Sequence, residues 1–215
     1  REDAFHILSV DFSGDERFVG VVVNLRGEIL YSAETHVEGQ AGEDAVALVI
    51  GLCRRLADLA TVRILGIGIG TPGIVDDSGV VQEAPNLGWY GLDLANRVAS
   101  DQGLPVYVGN DANAAALGVH TFHAASGHSL MVVTIEHGVG AGLIIGGALV
   151  VGDQFAAGEI GHLIVDEGGE LCACGRRGCL ELSLAAPHLR ERLRAAGSGE
   201  RAAILADAGH SVGIA

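Results

Sequence analysis

The sequence predicts an α/β fold built from two similar lobes with a cleft between them. Three observations carry this expectation. Strand-like apolar runs alternate with helical segments, the opening order of strand, loop and hairpin recurs in the second half, and the apolar runs are short and broken by glycine or charge.

Ile7–Val10, Val19–Leu25 and Ile29–Ser32 read as three successive strands, joined by a polar turn and by Arg26-Gly27. A helix follows from about Glu43, then a strand at Ile64–Ile69, a helix at Leu92–Ala99 and a short strand at Val106–Val108. An alanine-rich helix at Ala112–His120 opens directly after Asn110-Asp111. The pattern then begins again with a strand at Leu130–Thr134, a glycine loop, a strand at Val139–Ile145, a Gly146-Gly147 turn and a returning strand at Ala148–Val151. The boundary is expected near Ala112, which divides the chain into a first lobe, 1–111, and a second lobe, 112–215. Ligands of such duplicated α/β proteins lie between the halves. After Glu181 the chain reads as helical, with a polar break at Gly197-Ser198-Gly199, and it reaches Ala215 within a helical stretch.

With 49% hydrophobic and 19% charged residues among 215, the chain can bury one or two ordinary cores and lies far from the disordered class. No apolar run approaches the roughly 20 residues that cross a bilayer, and no basic-then-apolar leader opens the sequence, so neither a membrane nor secretion is expected. The formal charge of -14 would repel a phosphate backbone, which argues against DNA binding by this chain itself. Arg1 rather than methionine stands first, compatible with a segment upstream.

Cys53 lies in a run of helical periodicity and reads as a small core residue. Cys172, Cys174 and Cys179 cluster, which suits a metal site in a reducing compartment, and cytoplasm is the expected location. From His162 the spacing is nine intervening residues to Cys172, one to Cys174 and four to Cys179. One His and three Cys complete a tetrahedral zinc set, and with all four positions filled by protein the ion would be structural, holding the loop in place.

This cysteine segment, with GIGTPG at Gly68–Gly73, GNDANAAALG at Gly109–Gly118 and GVGAGLI at Gly138–Ile144, resembles the ROK family of repressors, open reading frames and kinases, in family order over almost the whole chain. The resemblance implies an actin-like, ribonuclease-H-like two-lobe fold with an interlobe cleft, a monosaccharide ligand and a homodimer or tetramer. It also implies that the fold continues beyond Ala215. Residue by residue, it places sugar contacts on Asn110, Asp111, Glu159, His162 and Glu181, with Gly73 and Asn86 nearby. Carboxylates accept from sugar hydroxyls and Asn both donates and accepts, while His162 can face zinc with one ring nitrogen and sugar with the other. In the kinases of the family the residue matching Asp111 is the general base. Asn110-Asp111 also suits a helix cap, and the two roles are compatible. Trp89 reads as core.

The phosphate loops depart from the kinase pattern. The Gly, Thr and Lys of an Asp-x-Gly-Gly-Thr-Lys loop are replaced by Ser13, Asp15 and Glu16 within DFSGDER, and the Gly-Thr-Gly of the second loop becomes Glu136-His137-Gly138. Like charges about 4 Å apart repel by roughly 4 kcal/mol at an effective dielectric near 20, so productive ATP and magnesium binding is not expected. Arg17 offers one source of compensating charge, and Asp11 a magnesium ligand. The expected function is thus the sugar-binding effector and oligomerisation body of a transcriptional regulator whose DNA-binding domain is absent from this chain. The alternatives are an ATP-dependent hexose or amino-sugar kinase, in which Asp111 would be catalytic, and a sugar-binding protein with neither output.

Overall fold

The computed structural model describes residues 2–12, 14, 16–122, 128–197 and 199–214. Ser13 and Asp15, two of the altered phosphate-loop positions, lie outside the described residues.

The chain opens with strands β1 (His6–Asp11), β2 (Arg17–Val23) and β3 (Ile29–His36), followed by helix α1 (Gly42–Leu59) and strand β4 (Ile64–Thr71). Alternation dictates how these pack. Leu8 and Val10 of β1 and Phe18 and Val22 of β2 turn to one face, where Val49, Leu52 and Leu56 of α1 cover them, all essentially buried. Burying each such side chain contributes roughly 1.5–3 kcal/mol. The helix can sit this close because Gly20 has no side chain. A Cβ there would stand 2.5 Å from Leu56 Cδ1. Cys53 belongs to the same core, and its burial pushes the thiol up to about 12.

Beyond β4 the structure adds a unit that periodicity did not reveal. Strands β5 (Ile74–Val75), β6 (Val81–Ala84) and β7 (Trp89–Leu92) form a small antiparallel sheet in the order β5-β6-β7. Strands of two to four residues are too short to show a period. The β5–β6 turn is organised by the Asp76 carboxylate, which accepts from the Ser78 and Val80 amides at 2.9 and 3.1 Å. Leu92, read as the start of a helix, ends β7 instead. Helix α2 begins at Leu94 because Asp93 caps it, accepting from the Asn96 amide at 3.1 Å. Trp89 is core as expected, with Nε1 donating to the Gly42 carbonyl at 3.0 Å.

After α2 (Leu94–Gln102) comes β8 (Val106–Asn110), which completes a five-stranded sheet in the order β3-β2-β1-β4-β8. β1, β4 and β8 run parallel, and β2 and β3 form the antiparallel edge. Helix α3 (Asp111–Phe122) leaves the end of β8 directly.

Strands β9 (Leu130–Ile135), β10 (Val139–Ile145) and β11 (Ala148–Val150) form a third, antiparallel sheet in the order β11-β10-β9, repeating the β3-β2-β1 opening of the first. α3 packs on β10 and β9 through Ala112 and Ala116. Gly142 permits the approach, since a Cβ there would lie 2.3 Å from the Ala112 carbonyl oxygen. A 3-10 turn (Ile160–His162) and a cysteine-bearing loop follow, then helices α4 (Leu180–Leu184), α5 (Ala186–Ala195) and α6 (Arg201–Ile214). Leu180, Leu184, Ala185 and Ala208 pack with Val139 into a second core. No helix among the described residues is long and apolar enough to cross a membrane.

Candidate metal centre and carboxylate site

His162 ends the 3-10 turn and Cys179 stands at the N-cap of α4, so two of the four cluster residues are fixed by regular elements. Cys172 and Cys174 ride the loop between them. That loop folds back on itself, with the Cys172 amide donating to the Arg176 carbonyl at 2.7 Å and the Gly175 amide to the Cys172 carbonyl at 2.9 Å. Gly178 makes the return possible. Its φ is +68°, and a Cβ would fall 1.5 Å from the Asp166 carbonyl oxygen.

The four ligand atoms lie within 4.8 Å of one another. His162 Nδ1 is 3.7 Å from Cys172 Sγ, and the sulfurs of Cys174 and Cys179 are 3.6 Å apart. Ligands at 2.0–2.3 Å from a tetrahedral ion are separated by about 3.5–3.8 Å, a spacing these two pairs match, so one His and three Cys form a donor set that suits zinc. The Arg176 amide beside the Cys174 sulfur holds that thiol down at about 6, favouring the thiolate that binds metal. With Nδ1 turned to the cysteines, His162 keeps Nε2 for another partner.

A second constellation adjoins the first. Asn110, the last residue of β8, donates from Nδ2 to the Gly73 carbonyl at 3.0 Å and accepts from the Asn113 amide at 3.0 Å. It therefore caps α3 and ties that helix to the β4–β5 turn. Asp111 Oδ1 accepts from the Ala112 amide at 2.7 Å. Gly73 could be no other residue, because its φ is +88° and a Cβ would lie 2.0 Å from the Glu83 carbonyl oxygen.

Asp111 and Glu159 share an electrostatic environment. Burial raises the Asp111 carboxyl above its ordinary range, and the charges of Asp11 and Glu136 add to the rise. Burial also raises Glu159, opposed by His162 and reinforced by Asp111 and Glu181. Glu181, on the first turn of α4, accepts from the Val139 amide through Oε2 at 3.3 Å. The structure thus brings Asp111, Glu159, His162 and Glu181 together, with Asn110 and Gly73 joined to them through the cap of α3. Asn86 is placed differently. It is exposed on the 3-10 turn Pro85–Leu87 and lines a cavity of about 160 Å³ with Phe12, Gly14, Gln40, Leu87 and His137.

Arg17 corrects one expectation. Its guanidinium pairs with Glu34 at 3.1 Å across β2 and β3, so part of its charge is already engaged at the sheet edge. Neither Gln40 nor His137, the latter within the altered second loop, carries a motif that foretells the cavity they share. A larger opening of about 680 Å³ lies between Glu16 and the α5 residues Pro187, Arg190 and Arg194. None of the carboxylates of the cluster lines it.

Fold and site together define an α/β protein of the actin-like two-lobe class, carrying a His-Cys₃ cluster that could hold a metal ion beside a set of half-buried carboxylates. The chain belongs to the ROK family, whose sequence model matches residues 7–211. It is 33% identical over 167 residues to the xylose repressor of Bacillus subtilis (strain 168), covering 76% of this chain and 44% of that protein. Among solved structures it superposes on a ROK family transcriptional regulator, a homologue of the E. coli MLC protein, with a TM-score of 0.78 and 28% identity, over 89% of this chain and 50% of that one. It superposes equally well on a ROK family glucokinase from Streptomyces griseus in complex with glucose and AMPPNP, with a TM-score of 0.80 and 34% identity, over 92% of this chain and 64% of that one. The chain spans less than half the length of the repressor.

Proposed function

We propose that this chain is the sugar-binding effector and oligomerisation body of a ROK-family transcriptional regulator, acting in the cytoplasm as a homodimer or tetramer and reaching DNA through a domain outside these residues. The observation that carries the reading is the pairing of an intact polar set with an acidic phosphate-loop position. Asn110, Asp111, Glu159, His162 and Glu181 are all present and clustered, while Glu136 adds negative charge to Asp111 where the kinases hold nucleotide phosphates. Gly73 and Asn86 complete the set of proposed contacts, and the lobes meeting along the cleft are those of residues 1–111 and 112–215.

In this reading a monosaccharide lies against Asp111, Glu159 and Glu181, whose oxygens accept from its hydroxyls, with Asn110 presenting a mixed donor and acceptor. Zinc on His162, Cys172, Cys174 and Cys179 is structural. It fixes the loop that delivers Glu181 and sets the ring orientation of His162. Sugar closes the cleft only by the difference in its affinity for the closed and open forms, and an attached DNA-binding domain reads that difference. ATP and magnesium play no part.

A second reading has support in the similarity to a glucokinase. There Asp111 would take the proton from the hydroxyl being phosphorylated, and a carboxyl raised by burial above its ordinary range is a stronger base once ionised. Full-length protein decides between the two. Sugar-dependent change in DNA affinity without phosphorylated product supports the regulator, and formation of sugar phosphate from ATP overturns it.

A further inference from the structure

The turn between β9 and β10, Glu136-His137-Gly138, is held from both sides by the segment that follows the cysteine loop. The Val139 amide donates to Glu181 Oε2 at 3.3 Å, and the Ala186 amide donates to the Glu136 carbonyl at 2.6 Å. The fit is close, since a Cβ at Gly138 would stand 3.0 Å from the same Glu181 oxygen. Glu181 is two residues beyond Cys179, on a helix of a single turn whose N-cap is that cysteine. Metal loop, α4 and the β9–β10 turn therefore form one mechanical unit.

The tip of that turn carries His137 to the other half of the chain. Among the described residues lining the 160 Å³ cavity, His137 is the one contributed by the second half. The others, including Phe12, Gly14, Gln40, Asn86 and Leu87, come from positions 12–87. Phe12 and Leu87 supply an apolar floor, and Gln40, Asn86 and His137 a polar rim. An imidazole can donate and accept there at once, as can either amide.

We infer that His137 is a latch between the two halves and that Glu181 is its positioning residue, fixing the turn through the Val139 amide so that the metal-bearing loop sets how the halves meet. Glu181 is also a proposed sugar contact. In so far as the Proposed function holds, a sugar hydroxyl and the Val139 amide then draw on one carboxylate, and occupancy of the site is transmitted to the latch without any phosphate.

Hydrogen exchange on the unliganded, zinc-loaded full-length protein tests the inference without any sugar, so its outcome is separate from that of the sugar-binding reading. Glu181→Ala should speed exchange across residues 136–142 about tenfold, as expected for loss of a charge-assisted hydrogen bond worth about 1.4 kcal/mol. Glu181→Gln, whose side-chain oxygen still accepts from Val139, should retain most of the protection. His137→Ala should leave 136–142 protected but speed exchange at residues 37–42 and 85–88, and removal of zinc by a chelator should loosen both regions. Exchange in α1 serves as the control for global folding. Unchanged protection of 136–142 in Glu181→Ala overturns the positioning role, and unchanged exchange at 37–42 and 85–88 in His137→Ala overturns the latch.

Discussion

The side-chain amide of Asn110 bridges two parts of the structure that the sequence keeps 37 residues apart, donating to the Gly73 carbonyl at 3.0 Å while its oxygen caps α3. This double commitment holds the β8–α3 junction in a fixed relation to the β4–β5 turn. Asp111, the next residue, is thereby presented at a defined position, with its carboxylate half-buried among other acids.

Asp111 is the group on which ligand binding should hinge. Calorimetry against hexoses, pentoses and amino sugars should find a monosaccharide that binds without nucleotide. Asp111→Ala should abolish its heat signal, and an unchanged titration would remove Asp111 from the site.

The same residue should limit the stability of the unliganded protein. The unfolded Asp111 releases its proton near 3.8, the unfolded Glu159 near 4.5, and both release it at higher pH when folded. Over that window the folded state binds more protons, so stability from these two groups falls as pH rises and then levels off above their folded pKa values. Asp111→Asn removes the desolvated charge and should raise stability at pH 7 by about 1 kcal/mol while removing binding. Thermal melts at pH 7 and near pH 4 check this, and the gain from the substitution should shrink at the lower pH.

Metal analysis of purified protein should find one zinc per chain. Cys174→Ser should lower metal affinity and loosen sugar binding, because the loop that delivers Glu181 loses an anchor. Normal sugar affinity in metal-free protein would break the link between the two sites.

Gly158 should tolerate no side chain. Its φ is +91°, and a Cβ would stand 1.8 Å from the Ala141 carbonyl oxygen, so the backbone of the 3-10 turn that carries Glu159 and His162 would have to move away from β10. Gly158→Ala should cost more than about 2 kcal/mol in a denaturant melt. Gly39→Ala provides the comparison. It has a positive φ of +76° but nothing within 4 Å, and should cost about 1 kcal/mol.

Full-length protein should change its DNA affinity on addition of the sugar that calorimetry identifies, and should show no sugar-dependent ATP turnover at physiological magnesium. This chain alone, at a formal charge of -14, should not bind DNA. Gel-shift titrations of both forms, with and without sugar, together with a coupled ATPase assay, test each part.

The sequence by itself determined the α/β class, the two successive strand-hairpin openings, the helix that starts at Asn110-Asp111 and the spacing of His162, Cys172, Cys174 and Cys179. These are local properties. Apolar period, turn glycines and ligand spacing act within a few residues of one another, and each survives reading one segment at a time. What only the tertiary structure decided is how distant segments use each other's groups. The β5-β6-β7 sheet escaped notice because its strands are too short to carry a period, and it exists by pairing rather than by pattern. Arg17 looked available to a phosphate, but strand pairing puts Glu34 within 3.1 Å of it. Asp111 and Glu159 are ordinary acids in the sequence and perturbed ones in the fold, because desolvation and the charges of Asp11, Glu136 and Glu181 arise only when five separate segments converge. His137 lines one cavity with Gln40 and Asn86 for the same reason. A cavity shared by residues about 50 and 100 positions apart is fixed by the packing of whole sheets, which no local signal encodes.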